Sequence, residues 1–195
     1  MLNPWSKLPA NMDGLDLPPV SQIGMVVPDL LEGVRFYRNF LGIPKWYHTV
    51  ITECSYYYRN RPIDIRLDIA VGYSGKTQIE LIQVHGQDDN IYHAHPGEAG
   101  FGFHHFGVVV NDLRDGVRTM RDRGFAPLQE GMLKYAGGGA TKVAYLDTMD
   151  KAGLILELIE TKAFGINLGM PEWLINLGRI TGDTKAMHAV KEQRP

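Results

Sequence analysis

The chain contains an internal repeat with an offset of 83 residues, and this repeat limits the possible folds more than any other feature. Segment 22–38 aligns without a gap on segment 105–121, and nine of the 17 positions are identical. The identical positions include Gly24/Gly107, Asp29/Asp112, Gly33/Gly116, Val34/Val117 and Arg35/Arg118. A sequence pattern that occurs twice predicts one structural unit that is built twice.

Each copy of the repeat predicts the same order of elements. A short apolar run is typical of a buried strand, and an aspartate follows it where a helix N-cap is expected. Apolar residues then recur at helical spacing until Gly42 or Gly124, and glycine commonly ends a helix. Three strand-like runs follow each helix, at 45–52, 63–71 and 77–84 in the first copy and at about 126–130, 141–146 and 153–161 in the second. The chain is therefore predicted to be an α+β protein with two βαβββ modules.

The repeat also divides the chain into segments. They are an N-terminal arm (1–20), a first module (21–86), a linker (87–102), a second module (103–161) and a C-terminal extension (162–195). The linker is polar and rich in His, Gly and Pro, as expected of a connection between two modules.

Composition and charge exclude several classes of function. The net charge is −2 and no run of Lys or Arg occurs, so neither nucleic acid nor an anionic membrane surface is expected as a partner. No apolar stretch approaches the ~20 residues that cross a bilayer, and the N-terminus lacks the apolar region of a signal peptide. The single cysteine, Cys54, excludes an intramolecular disulfide. We therefore expect a cytoplasmic protein that acts on a small molecule.

Four residues at equivalent places in the repeat suggest a metal site. The first strands begin with Gln22 and His105, and the last strands carry Glu80 and Glu157 among aliphatic residues. Both faces of the strand that contains Glu157 are otherwise apolar. Such a carboxylate must be neutral, paired or metal-bound, because an isolated buried charge is very costly. One imidazole, two carboxylates and one amide oxygen would form a four-ligand site for a divalent metal.

Simpler interpretations stand beside each of these assignments. The glutamates could be exposed acids on edge strands, and the Gln22 amide, which brings no charge, could make a structural hydrogen bond. His104 is the alternative to His105, since it lies next to it on the opposite face of the strand. His93 and His95 form a His-x-His pair in the linker, where a solvated loop is the simpler interpretation.

These residues resemble the glyoxalase I and methylmalonyl-CoA epimerase branch of the vicinal oxygen chelate superfamily. Members open each module with a His-Ile-Gly-like strand, followed by Asp-Leu and a helix that contains Phe-Tyr and Leu-Gly. The corresponding residues here are Gln22-Ile-Gly, Asp29-Leu, Phe36-Tyr and Leu41-Gly in the first module and His105-Phe-Gly and Asp112-Leu in the second. The resemblance covers about residues 20–161. It implies that the modules form a curved, eight-stranded mixed sheet shaped like a cup, and that the protein is a homodimer.

The resemblance also implies a site and a reaction. Gln22, Glu80, His105 and Glu157 fall on the four metal-ligand positions. This set is similar to that of glyoxalase I enzymes that favour zinc, with nickel, cobalt, manganese and iron as alternatives. The implied activity is that of a lyase, isomerase or epimerase, which transfers a proton next to a carbonyl through a metal-stabilised enediolate. Glu157 or Glu80 would act as the base.

Two departures from the family keep other functions open. The His-Pro-Lys loop of the epimerases is replaced by Asp-Thr-Met-Asp-Lys at 147–151, which argues against an acyl-CoA substrate. An extradiol-type dioxygenase needs two histidines and one glutamate for iron, and Gln22 replaces one of those histidines. A non-enzymatic binding protein would use an aromatic groove. The run Tyr56-Tyr-Tyr58 is aromatic at strand spacing, so its members are expected to divide between core and pocket.

Overall fold

The two copies of the repeat form the two halves of one sheet in the computed structural model, which describes residues 15–94, 100–163 and 166–187. The first module consists of β1 Val20–Val26, α1 Leu30–Phe40, β2 Trp46–Thr49, β3 Ile51–Tyr58, β4 Arg61–Ile63, β5 Arg66–Ser74 and β6 Thr77–His85. The second consists of β7 Gly102–Val109, α3 Leu113–Asp122, β8 Pro127–Tyr135, β9 Ala140–Leu146, α4 Met149–Ala152 and β10 Ile155–Ala163. Helix α2 Ile91–Ala94 lies between the modules, and β11 Ile166–Asn167, α5 Glu172–Thr181 and β12 Thr184–Met187 follow them.

The helix starts predicted from the repeat are confirmed. The Asp29 side chain accepts a hydrogen bond of 2.8 Å from the Glu32 amide at the start of α1. Asp112 accepts one of 3.0 Å from the Asp115 amide at the start of α3. Each aspartate thus satisfies one of the amide groups that a helix N-terminus leaves without a partner.

The strand order shows how the modules join. The order is β12-β2-β5-β6-β1-β7-β10-β9-β8-β3-β4, with β11 beside β10. The first strand of each module is parallel to the last strand of the same module, and β1 and β7 meet antiparallel at the centre. The predicted α+β class and mixed sheet are confirmed.

The predicted number of strands is wrong, because the sheet of the described residues has twelve strands rather than eight. Four strands are additional to the two predicted βαβββ patterns: β3 and β4 lie within the first module, between β2 and β5, and β11 and β12 follow the second module. Strand β3 of the first module pairs with β8 of the second, and β12 extends the sheet beside β2. These pairings join segments far apart in sequence, so the local pattern could not predict them.

The sheet has one face covered by helices and one face around a cavity. Helices α1 and α3 pack on the outer face, where each forms a core with the strands of its own module. The inner face carries a third core, and residues from β5, β6, β8, β9 and β10 line one cavity there together with residues of α5. Because strands from both halves of the sheet line the same cavity, the sheet curves around it.

Part of the predicted linker belongs to the core. Ile91 and Tyr92 of α2 are fully buried, and the Ile91 amide donates a hydrogen bond of 3.0 Å to Oε1 of Gln129. His93 is exposed beside Asn90, whereas His95 lies outside the described residues. None of the described helices is long and apolar enough to cross a membrane.

Candidate metal centre

The four predicted ligand positions come together at the centre of the sheet. Gln22 lies on β1, Glu80 on β6, His105 on β7 and Glu157 on β10, and these strands are neighbours. Nε2 of His105 lies 2.9 Å from Oε2 of Glu157, 3.7 Å from Oε2 of Glu80 and 3.2 Å from Oε1 of Gln22. The ligand atoms of the His and the two Glu residues all lie within 4.8 Å of one another. The repeat therefore places one pair of candidate ligands from each module around a common point.

The repeated glycine makes room for this arrangement. Gly24 lies opposite His105 in the β1–β7 pair, and Gly107 lies opposite Gln22. A Cβ atom on Gly24 would stand 1.9 Å from Cε1 of His105, and one on Gly107 would stand 2.7 Å from Oε1 of Gln22. In each module the glycine thus gives space to the candidate ligand of the other module, which explains why the repeat contains it twice.

A hydrogen-bonded pair of histidines fixes the orientation of the His105 ring. Nε2 of His104 lies 3.3 Å from the carbonyl oxygen of Ile91, and Nδ1 of His104 lies 2.9 Å from Nδ1 of His105. A carbonyl oxygen can only accept, so Nε2 of His104 donates and Nδ1 of a neutral His104 accepts. Nδ1 of His105 must then carry the proton. Its Nε2 presents a lone pair to the two carboxylates, which is the form that binds a metal.

A second set of hydrogen bonds orients the Gln22 amide. The Tyr73 hydroxyl donates to the carbonyl oxygen of Met170 at 3.0 Å and accepts from Nε2 of Gln78 at 2.7 Å. Oε1 of Gln78 in turn accepts from Nε2 of Gln22 at 2.9 Å. Because each step fixes which end of the next amide donates, the oxygen of Gln22 faces His105.

Two tyrosines contact the site from the linker and from β9. The Tyr92 hydroxyl donates a hydrogen bond of 2.9 Å to the Tyr145 hydroxyl, and Tyr145 is hydrogen-bonded to Glu157. Both tyrosines are buried, and burial raises the pKa of each phenol well above its ordinary value. They are therefore neutral hydrogen-bond donors at physiological pH.

Burial shifts the ionisable groups of the site towards their neutral forms. It raises the pKa of Glu157 to about 8, and the Tyr145 hydrogen bond opposes this shift. Burial and the nearby Glu157 carboxylate raise the pKa of Glu80 well above its ordinary value. Burial also lowers the pKa of His105 to about 3. All three shifts share one cause, because a charge is poorly solvated in this interior.

The arrangement fits a divalent cation. Four acceptor atoms face one another, and Oε2 of the buried Glu157 has no hydrogen-bond partner among the described residues. Acceptors repel one another unless a proton or a cation lies between them. Imidazole nitrogen with carboxylate and amide oxygens suits zinc and the other divalent metals of its row. Gln22, Glu80, His105 and Glu157 are the residues that would hold the ion.

Sequence reasoning selected the four converging residues but missed the residues that orient them. His104, the sequence alternative to His105, lies behind it and contacts its ring. Gln78, Tyr73 and Tyr145 carried no signal in the repeat, because each acts through a contact between distant segments. Gln78 stands two residues before Glu80 on the same strand, and alternation alone could have placed it on the same face.

Comparisons with known proteins give a family and a set of similar folds. Residues 21–145 match the model of a family described as the Glyoxalase/Bleomycin resistance protein/Dioxygenase superfamily. A hypothetical protein, BH1468 from Bacillus halodurans C-125, is 17% identical, with 76% of this chain and 98% of that chain covered and a TM-score of 0.49. A methylmalonyl-CoA epimerase from Mycobacterium tuberculosis is 16% identical, with 76% and 92% covered and a TM-score of 0.48. No curated protein matches the sequence. Because both structural likenesses are weak, they carry no argument about function.

Proposed function

Because this chain belongs to the Glyoxalase/Bleomycin resistance protein/Dioxygenase superfamily, we propose that it is a metal-dependent enzyme that transfers a proton at a carbon next to a carbonyl group. The observation that carries the proposal is the convergence of one imidazole nitrogen, two carboxylates and one amide oxygen around a single point in the interior. The class of reaction is that of a lyase, isomerase or epimerase on a small organic substrate, and zinc is the metal we expect.

A divalent cation at this site would stabilise the negative charge that develops on a carbonyl oxygen when the neighbouring carbon loses its proton. The chain itself must supply the base. Glu80 is 12% exposed, whereas Glu157 is 3% exposed, in close contact with His105 and hydrogen-bonded to Tyr145. Glu80 therefore has the better access to a substrate, and we assign it the role of base, with Glu157 as the more firmly held carboxylate.

The donor set favours this reaction over ring cleavage by iron. An extradiol site of the facial-triad type uses two histidines and one carboxylate. Among the described residues a single histidine, His105, reaches the convergence point, since both ring nitrogens of His104 are directed to Ile91 and His105. Two carboxylates and one amide complete the set instead.

Metal content tests the proposal. The protein, purified without chelator, is analysed for metals as wild type and as His105→Ala, Glu157→Gln and the control His85→Ala. His85 is a suitable control because its ion pair with Asp68 lies on a partly exposed strand end. We expect about one zinc, nickel, cobalt or manganese ion per chain in wild type and control, and loss of the ion in both site variants. Thermal unfolding of each variant separates loss of the ligand from loss of the fold.

A second measurement tests the reaction. The metal-loaded protein should exchange the proton next to a carbonyl for deuterium in small hydroxyketones, and Glu80→Gln should abolish exchange while it retains metal better than Glu157→Gln. Iron as the bound metal would instead support the dioxygenase. A wild type that binds no metal after reconstitution would contradict both enzymes and leave a binding protein of this superfamily.

The assembly and the location of the protein remain predictions. A homodimer is implied by the resemblance, and the mass in solution from light scattering would decide it. A cytoplasmic location is a prediction from the single cysteine, which fits a reducing compartment.

A further inference from the structure

We infer that the substrate is a mainly apolar molecule that carries no charged group away from the site. It presents its oxygen atoms to the site and makes one polar contact with Tyr56. This inference rests on the proposed function, because it concerns the cavity beside the candidate metal centre. It excludes the large anionic carriers, such as acyl-CoA or glutathione conjugates, whose charged groups would have to enter or border this cavity.

The cavity is enclosed by the sheet on one side and by the C-terminal extension on the other. Its volume is about 360 Å³, within the range of sites for small molecules. The sheet contributes aliphatic side chains such as Ile69 and Val143, and α5 contributes Trp173, Leu174 and Leu177. Gln22, Glu80 and Glu157 also line it, so a molecule in the cavity would contact the candidate metal centre directly. Most of its surface would lie against apolar groups, which favours an apolar substrate.

The charges around the cavity do not favour an anion. Lys162 is the one Lys or Arg among the described residues that line it, and its Nζ lies 3.1 Å from Oε1 of Glu160 on the other face of β10. The acidic residues Glu80, Glu157 and Asp183 line the cavity as well. The two glutamates would balance the charge of a divalent cation, so the loaded site would have no excess positive charge. A substrate carboxylate or phosphate that does not itself reach the cation would therefore be desolvated without a partner of opposite charge.

Tyr56 supplies an unused polar group in this apolar wall. Its side chain is 2% exposed and lines the cavity, and its hydroxyl has no hydrogen-bond partner among the described residues. Gly131 lies so close that a Cβ atom there would be 2.5 Å from the Tyr56 ring, so the glycine keeps space for it. A buried hydroxyl without a partner is costly, and a substrate oxygen would satisfy it. The raised pKa of Tyr56, caused by burial, keeps it a neutral donor.

Two probes of almost equal size test the inference. Both are phenyl diones with adjacent oxygens, and they differ only at the para position of the ring, far from those oxygens. The neutral probe carries a nitro group there, and the anionic probe carries a carboxylate of the same shape. Calorimetric titration of the zinc-loaded wild type should show the neutral probe bound at least about tenfold more tightly. Tyr56→Phe should weaken the binding of the neutral probe about threefold to tenfold. Equal or tighter binding of the anionic probe by the wild type would overturn the inference.

A matched pair of variants on α5 tests the role of charge. Leu177 is 44% exposed and lines the cavity, whereas Ile180 on the same helix is 84% exposed and does not. Leu177→Lys should tighten the binding of the anionic probe about tenfold, because it places a cation at the edge of the cavity. Ile180→Lys adds the same charge and should change neither probe. An equal effect of both variants would contradict the argument, since it would reflect net charge alone.

Titration of the metal-free protein separates this inference from the proposed function. A preference for the neutral probe that persists without metal, in a protein that binds no metal at all, would support the apolar cavity and refute the enzyme. A protein that binds zinc but prefers the anionic probe would leave the proposed function in place and refute the assigned class of substrate.

Discussion

Gly24→Ala is the smallest substitution that should remove the candidate metal site. The added Cβ atom would stand 1.9 Å from Cε1, 2.3 Å from Nε2 and 2.4 Å from Nδ1 of His105. Non-bonded carbon atoms approach to about 3.5–4.0 Å, so the ring would have to withdraw by roughly 1.5–2 Å. The ring is fully buried, and a metal site tolerates displacements of only about 0.5 Å.

The expected loss of metal affinity is large. Changes in residues that merely support a ligand cost about 10–100-fold in affinity, so displacement of the ligand itself should cost more than about 100-fold. The crowding should also lower the free energy of unfolding by about 1–3 kcal/mol. Replacement of glycine by alanine in a strand otherwise raises the free energy of unfolding by about 0.5–1 kcal/mol. A net loss of stability can therefore come only from the contact with the His105 ring.

Gly72→Ala is the matched control. Its Cβ atom would stand 2.9 Å from Cγ2 of Ile43 and 3.1 Å from the Trp46 ring, on the outer face of the sheet. It should lower stability by a similar amount and leave the metal in place. Zinc affinity is measured by competition with a chromophoric chelator, and stability by urea unfolding. If Gly24→Ala bound zinc with the affinity of the wild type, the assignment of His105 as a ligand in this geometry would be refuted.

Three further predictions concern the groups around the ligands. His104→Phe should weaken zinc binding about 10–100-fold in the same competition assay, whereas His85→Ala should not change it. Tyr73→Phe should weaken zinc binding by a smaller factor, because it frees the amide of Gln22 to turn its nitrogen towards the site. The melting temperature of the metal-free protein should fall as pH rises from about 6.5 to 8. In this window the folded state retains the proton of Glu157, whose pKa is about 8, and the unfolded state has already lost it. A melting temperature that stays constant or rises with pH would contradict the raised pKa of Glu157.

The repeat predicted the elements of the fold because its signals are local. Apolar runs, the two aspartate caps and the terminal glycines each concern residues a few positions apart, and the structure contains the elements that they indicate. Strands β3 and β12 were not predicted, because they depend on contacts that are not local. Their partners lie in β8 and β2, so their existence depends on pairing across the sheet. The aromatic run was predicted only in part. Its members do alternate between the two faces of the strand, but Tyr56 belongs to both the core and the cavity wall, whereas Tyr57 is half exposed and does not line the cavity.

The site could be predicted as a set of residues, but not as a set of hydrogen bonds. Equivalent positions in the repeat selected all four converging side chains, because two-fold repetition must bring equivalent residues to equivalent places. The orientation of His105 depends on His104 and on the Ile91 carbonyl, which belongs to the linker. No pattern within either module contains that information, because the linker lies outside the repeat.

The glycine pair shows why neither module could form this site alone. Gly24 belongs to the first module and makes space for His105 of the second, while Gly107 makes space for Gln22 in return. The acceptors also divide evenly, with one glutamate from each module. A single module would therefore carry only half of the candidate ligands, and its first strand would lack the neighbouring strand that the other module supplies. The two copies must have remained complementary to each other, and this requirement accounts for identical glycines at positions where the adjacent ligands, Gln22 and His105, differ.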